Sequence, residues 1–330
     1  MDIFLLILGL ALILGGANFL TDGSAALAQR FRVPEFIVGL TIVAVGTSTP
    51  ELVVSVLSAA AGNSDVAIGN IVGSNIFNVF LILGVCALIA PLPLTGGNIR
   101  RDLPFLTAVS VLLLLLTSDR LLGLGEVDAI GRIDGIVMLL LYIALIRYTI
   151  RAERRTAAQA TQTTQTTQTT QTTQTEKPQR SRSLWLIVVM IAGGLAGLIF
   201  GGELFLDSAT AIARALGVSE SVIAITLVAG GTSLPELASS VVSLLKGKSE
   251  MALGNVIGSN IANILLILGL SATIHPLTLG GITRIDLLTV LLSSVLLFVT
   301  AFTFRRKAVD RWEGAIFLVI YALYIGYLVR

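Results

Sequence analysis

Ten apolar runs dominate the chain, near residues 3–20, 36–60, 66–90, 103–118, 134–150, 184–203, 219–245, 251–274, 285–303 and 312–329, with polar, glycine-rich or basic segments between them. Each is long enough to form a helix across a hydrocarbon core of about 30 Å. The pattern predicts an all-α polytopic membrane protein of ten transmembrane helices. It divides into a five-helix half at 1–150, a linker at 151–183 and a second five-helix half at 184–330. With an odd number of helices in each, the halves enter the membrane in opposite senses. Related halves of this kind are inverted repeats, an arrangement common among alternating-access transporters.

The halves are related. The run GTSTPELVVSVLSAAAGNSDVAIGNIVGSNIFN starts at Gly46, and GTSLPELASSVVSLLKGKSEMALGNVIGSNIAN starts at Gly231. Glu51 and Glu236 differ by 185 positions, and the same offset, without a gap, pairs Thr47 with Thr232, Ser74 with Ser259 and Asn78 with Asn263. Apolar positions drift, as in Val53 against Ala238 and Phe77 against Ala262, while the Gly, Ser, Thr, Asn, Pro and Glu positions mostly stay. Membrane filler would drift the other way. The duplication reaches upstream to Asp22 and Asp207, Glu35 and Glu220, and Thr41 and Thr226. Asp22 and Glu35 read as interfacial residues near helix ends.

Composition agrees with the pattern. A hydrophobic content of 55% against 13% charged residues leaves no room for a large soluble domain. The first run has neither a basic leader nor a small-residue cleavage site, so it reads as a retained helix. With Arg120, Arg132, Arg214, Arg284 and Arg330 as the exceptions, all 22 Lys and Arg residues fall on one side if the N-terminus lies outside. The excess of basic residues marks the cytoplasmic side, which places both termini outside and the linker inside. The linker carries Thr/Gln triplets between basic ends, has no apolar period to bury, and reads as a solvated, disordered segment. Nothing suggests nucleic acid, the single Cys86 excludes an intrachain disulfide, and His275 reads as interfacial.

The chemistry lies in the repeated stretch. An ionised Glu at mid-membrane costs about 3 kcal/mol on insertion scales, so Glu51 and Glu236 need a partner or a purpose. In each copy a Gly-Thr-Ser-x-Pro-Glu run interrupts an apolar helix. The glycine and the proline loosen it there, exposing backbone carbonyls, those of Ala44 and Ala229 in particular. Thr47, Ser48 and Glu51 share a helix face by spacing, as do Ser74 and Asn78 on the next helix. With Thr232, Ser233, Glu236, Ser259 and Asn263 the bundle centre gathers hard oxygen donors without His or Cys. That set suits an alkali or alkaline-earth cation rather than zinc or copper. Gly69, Gly73, Gly254 and Gly258 read as sites of close helix packing, and Asn70, Asn75, Asn255 and Asn260 suit ion ligation and interhelical bonding equally.

GTSTPE with GNIVGSNIFN, and GTSLPE with GNVIGSNIAN, resemble the two alpha-repeats of the sodium/calcium exchanger family, prokaryotic type, within the calcium/cation antiporters. The similarity spans nearly the whole chain outside the linker. It implies ten helices, four central ion sites and alternating access by sliding of the first and sixth helices. It makes Glu51 and Glu236 the shared calcium carboxylates. Thr47, Ser48, Ser74, Thr232, Ser233, Ser259 and the carbonyls of Ala44 and Ala229 then complete calcium and sodium sites, and Asn78 matches a family asparagine. Asn263 departs from the relatives that carry Asp there. The two remaining carboxylates are neutralised by one Ca2+, whereas three Na+ leave the site at +1, which makes exchange electrogenic.

These features imply a monomeric or weakly oligomeric antiporter in a prokaryotic cytoplasmic membrane, not an enzyme, exchanging Na+ for Ca2+ with no cofactor beyond the ions it carries. A Ca2+/H+ antiporter is the near alternative, because a carboxylate also carries a proton. The GTSxPE form and the neighbouring hydroxyls favour sodium. A passive channel is expected to show a charged pore ring rather than two buried inverted copies. A hydrolase would need a nucleophile with a His or Lys base beside the glutamates, and none is present.

Overall fold

The structure, a computed structural model, describes residues 1–123, 127–167, 182–217, 229–304 and 307–329. Helix α1 (Asp2–Phe31) outruns its predicted apolar stretch by a further three turns, because the following TDGSAALAQRF segment is polar but helix-compatible, and it stops at Arg32 with φ 52°. The second run is two helices, α2 (Glu35–Thr47) and α3 (Thr49–Ala60), bent by 49°. The bend falls at Ser48 (φ −78°, ψ 12°), immediately ahead of Pro50 in the first turn of α3. Proline suits a first turn, where its missing N–H has no partner to lose.

Helix α4 (Ser64–Ile89) follows, then α5 (Leu103–Leu116). Helix α6 (Arg132–Thr167) runs past the boundary expected at 150, through RAERR and into the triplets, whose Ala, Arg, Glu and Gln favour helix. Of the expected linker, residues 168–181 lie outside the described residues. The second half has α7 (Leu184–Ala215), a turn at Ala229–Gly231, α8 (Leu234–Leu245), α9 (Ser249–Ile274), α10 (Arg284–Val299) and α11 (Arg311–Leu328). Every predicted run carries helix where it is described, the seventh only from residue 229. Length and composition alone make six of these helices membrane spans, or seven with the bent pair, among the described residues. Helices α5, α8 and α10, with 14, 12 and 16 residues, fall short of that length, so the count of ten rests on the sequence pattern.

Symmetry governs the packing. In α4 and α9, 78% of the most apolar window is buried, against 28% in α1 and α7, which makes α4 and α9 the central pair. Both change to π-helix at equivalent places, Phe77–Leu83 and Ala262–Leu268. Helix α1 lies along α7, α5 along α10, α6 over α9 and α11 over α4. The halves also exchange short strands. β1 (Leu92–Pro93) pairs antiparallel with β4 (Ala308–Val309), and β2 (Ala129–Ile130) with β3 (Leu277–Thr278).

Glycine sets two of the helix contacts. A Cβ at Gly194 would lie 2.5 Å from the Leu20 nitrogen, and one at Gly16 2.7 Å from the Gly194 oxygen, so α1 and α7 meet backbone to backbone. On α9, Gly254 and Gly258 face the carbonyls of Phe36 and Leu40, which a Cβ would approach to 2.4 and 2.3 Å. Their counterparts Gly69 and Gly73 have no such neighbour among the described residues; the equivalent partners, 221 and 225, lie outside them.

Gly258→Ala should therefore destabilise the fold by about 1–3 kcal/mol, the usual cost of overpacking, and lower the midpoint of thermal unfolding in detergent. Gly15→Ala, in open space on α1, is the control expected to leave the midpoint unchanged or slightly raised. Equal midpoints for the two variants would show that α2 and α9 can separate without loss.

Candidate ion-binding site

The bends at Ser48 and Ser233 (φ −91°, ψ 8°) start α3 and α8 in the middle of the bundle. Each new helix carries its glutamate in the first turn, where free N–H groups and the helix dipole favour negative charge. Glu51 and Glu236 are both 0% exposed. No ion pair joins either of them to Lys or Arg among the described residues.

The glutamates are held by the opposite repeat. Ser48 Oγ donates to Glu236 Oε1 at 2.8 Å, and its counterpart Ser233 Oγ donates to Glu51 Oε1 at 2.9 Å. Ser74 on α4 adds a longer bond to Glu51 Oε1 at 3.3 Å. The second oxygen of each carboxylate, Oε2, is buried with no hydrogen-bond partner. A buried acceptor left unmatched costs about 1–3 kcal/mol, more when charged, so two such oxygens in one cluster would be relieved by a cation or a proton.

The surrounding amides repeat the reciprocity. Thr47 donates to Asn255 Oδ1 at 3.2 Å, and Thr232 to Asn70 Oδ1 at 3.3 Å. Asn70 Nδ2 reaches the Glu51 carbonyl at 3.1 Å and Ser55 Oγ at 2.9 Å. Asn255 Nδ2 reaches the Glu236 carbonyl at 3.4 Å, with Ser239 and Ser240 Oγ both at 2.9 Å. One turn beyond Ser74 and Ser259, Asn78 Nδ2 donates to Asn260 Oδ1 at 3.0 Å and Asn263 Nδ2 to Asn75 Oδ1 at 3.1 Å. Those bonds use the amide nitrogens and leave Asn78 Oδ1 and Asn263 Oδ1 buried and unmatched. Four orphaned acceptor oxygens, two charged and two neutral, thus come from four helices.

Most of the residues expected at the centre are gathered there, with differences. Asn70 and Asn255 brace the glutamate turns through their amides. The Ala44 carbonyl is not freed by Pro50, whose missing N–H would have reached Gly46. It accepts from the Ser48 N–H at 3.0 Å, and the hydroxyls of Thr47 (3.3 Å) and Ser259 (3.5 Å) turn toward it. Ala229 begins the turn Ala229–Gly231, and the helix expected before it lies outside the described residues. Ser55 and Ser240 also belong to the cluster, and their signal in the sequence is a serine four residues after the glutamate in each copy. Asp22 sits within α1 rather than at its end and pairs with Lys246 at 2.7 Å, and Glu35 pairs with Lys248. His275 is exposed after the last residue of α9, its Nδ1 2.8 Å from the Pro276 carbonyl.

A cluster of hydroxyl, amide and carboxylate oxygens, with no group of three His, Cys, Asp or Glu among the described residues, has the donor chemistry that suits hard cations. The chain is 33% identical to the sodium/calcium exchanger MaX1 of Methanosarcina acetivorans over 342 aligned residues, covering 98% of this chain and 97% of that one. It is also 33% identical to the putative antiporter CaxA of Alkalimonas amylolytica, over 98% and 96% of the two chains. Its fold matches the solved sodium-calcium exchanger NCX_Mj with a TM-score of 0.80 at 30% identity, over 98% of each chain. The family model described as sodium/calcium exchanger protein matches residues 1–151 and 186–330. This membrane protein, with its duplicated GTSxPE turns meeting at the centre, therefore belongs to the sodium/calcium exchanger family of antiporters.

Proposed function

We propose that the protein exchanges Na+ for Ca2+ across the membrane by alternating access, with both ions held at the centre by Glu51 and Glu236. The observation that carries this reading is the pair of fully buried carboxylates, each with one oxygen unmatched. The hydroxyls of Ser48, Ser74 and Ser233 already reach the other carboxylate oxygens. Two carboxylates supply the charge that one Ca2+ balances, and the hydroxyl, amide and Ala44 carbonyl oxygens supply the remaining coordination. Thr47, Thr232, Ser259, Asn78, Asn263 and the Ala229 carbonyl are proposed as further ligands. A transported proton would need none of these neutral oxygens, which favours sodium as the coupling ion. The glycine-packed α1–α7 pair is the element that moves against the rest. Both termini face outward, and the linker is cytoplasmic.

The test is Ca2+ uptake into proteoliposomes with the membrane potential clamped, driven by an outward gradient of Na+ or of H+ in turn. The expected outcome is uptake with the Na+ gradient alone and acceleration by an interior-positive potential, because three Na+ leaving for one Ca2+ carry out net positive charge. Uptake with the proton gradient alone would keep the site and replace the coupling ion.

Glu51→Gln keeps the shape of the site and removes one charge. It should abolish Ca2+ uptake at least a hundredfold, since about 3 kcal/mol lost from a desolvated charge–charge contact corresponds to that factor. Near-normal uptake by correctly inserted Glu51→Gln protein would remove Glu51 from the site.

A further inference from the structure

The two repeats are nearly symmetric at the site and differ sharply at their flanks. On the α1 side the path is shut. Thr21 and Ser243 hydroxyls meet at 3.0 Å, and Lys246 Nζ bonds the Asn18 carbonyl at 3.2 Å and Asp22 Oδ1 at 2.7 Å, tying α1 to the end of α8. At the equivalent place between α7 and α3, the described residues leave a cavity of about 220 Å³. It is lined by Thr49, Pro50 and Val53 of the first repeat, by Glu203 and Leu206 of α7, and by Thr232 of the second. Thr232 is partly exposed, whereas its counterpart Thr47 is 0% exposed. The α7 flank therefore has a crevice that reaches Thr232, while Glu51 and Glu236 behind it stay buried.

The offset of 185 explains why the two flanks cannot behave alike. Thr21, Asn18 and Lys246 correspond to Leu206, Glu203 and Ala61. Where one flank has a hydroxyl pair, a neutral amide and a lysine, the other has a leucine, a carboxylate and an alanine. Glu203 is exposed and lines the cavity that leads to Thr232. It lies 19 residues from Leu184 at the start of α7, about 28 Å along the axis at 1.5 Å per residue, near the membrane edge opposite the linker.

The geometry points to Glu203 as a loading carboxylate, which draws a cation into the mouth between α3 and α7 and hands it to Thr232 and the central glutamates. The opposite mouth has the neutral Asn18 at the same position, and its Lys246 and Lys248 are paired with Asp22 and Glu35, so these residues offer an arriving cation no unpaired carboxylate. The two faces of the transporter thus load at different rates although they share one site. This inference rests on the Na+/Ca2+ reading above and concerns a residue outside the central cluster, so Glu203 speeds arrival without ligating the bound ion.

The test replaces the charge reversibly. Cys86 is buried in α4, so Glu203→Cys adds one reachable thiol, which membrane-impermeant methanethiosulfonates label from one side only. In proteoliposomes, Glu203→Cys should raise the half-saturating Ca2+ concentration on that side about tenfold, the lower end of electrostatic focusing, with the maximal rate unchanged. The anionic sulfonatoethyl adduct should return it toward the wild-type value, and the cationic trimethylammonioethyl adduct should raise it further. Equal effects of the two adducts, or a changed maximal rate with unchanged half-saturation, would overturn the assignment. The rate of 45Ca2+ association with the purified protein in detergent separates this from the transport reading. Wild type that binds Ca2+ without exchanging it overturns antiport alone, with Glu203 then judged by whether its adducts shift the association rate in opposite directions. Wild type that neither binds nor exchanges Ca2+ overturns both.

Discussion

Two carboxylates buried in one apolar bundle cannot be satisfied by the bundle alone, and the fold is arranged around that deficit. Each glutamate receives its short hydroxyl bond from the serine of the other repeat, so neither half contains a finished site. Breaking α2 from α3, and starting α8 at Ser233, places each carboxylate at a helix beginning, where unpaired N–H groups partly offset its charge. The remaining oxygens are acceptors without donors. A cation between its walls would match those acceptors, and exchange would follow if two kinds of cation served in turn.

Reciprocity also limits what may vary. A bond from Thr47 to Asn255 has its double from Thr232 to Asn70, and the Asn78–Asn260 bond has its double in Asn263–Asn75. A change at one member unbalances two interfaces, because the residue it touches belongs to the other copy. Apolar positions carry no such obligation, which is why Val53 and Ala238 can stand at equivalent places. Asn263 fits this scheme as an amide: its nitrogen is spent on Asn75 and its oxygen is left for the centre. An aspartate there would lack that donor and add a third charge.

Much of this was legible in the sequence because duplication displays it twice. The polar positions shared at a constant offset pointed to Glu51, Glu236 and their serines, and the Pro-Glu pairs located the bends. What stayed hidden depends on contact across the halves. Nothing in the spacing tells that Ser48 serves Glu236 rather than Glu51, that Asn70 braces a turn on a neighbouring helix, or that Lys246 reaches Asp22. The carbonyl that Pro50 frees by spacing is that of Gly46, four residues back, while the Ala44 carbonyl stays bonded to the Ser48 N–H and sits among the hydroxyls. Hydropathy does not show helix ends where polar sequence continues an apolar helix, as after residue 20 and after residue 150.

The crossed strands have a bearing on how the chain is made. β1 cannot pair until Val309, 217 residues after Leu92, has been synthesised, and β2 must likewise wait for Leu277. At a synthesis rate of about 5–20 residues per second, the first half spends some 10–40 s in the membrane with its strand edges and its glutamate unmatched. A nascent chain in that interval resembles a clasp with one side missing, and the insertion machinery or neighbouring lipid must tolerate it until the second copy arrives.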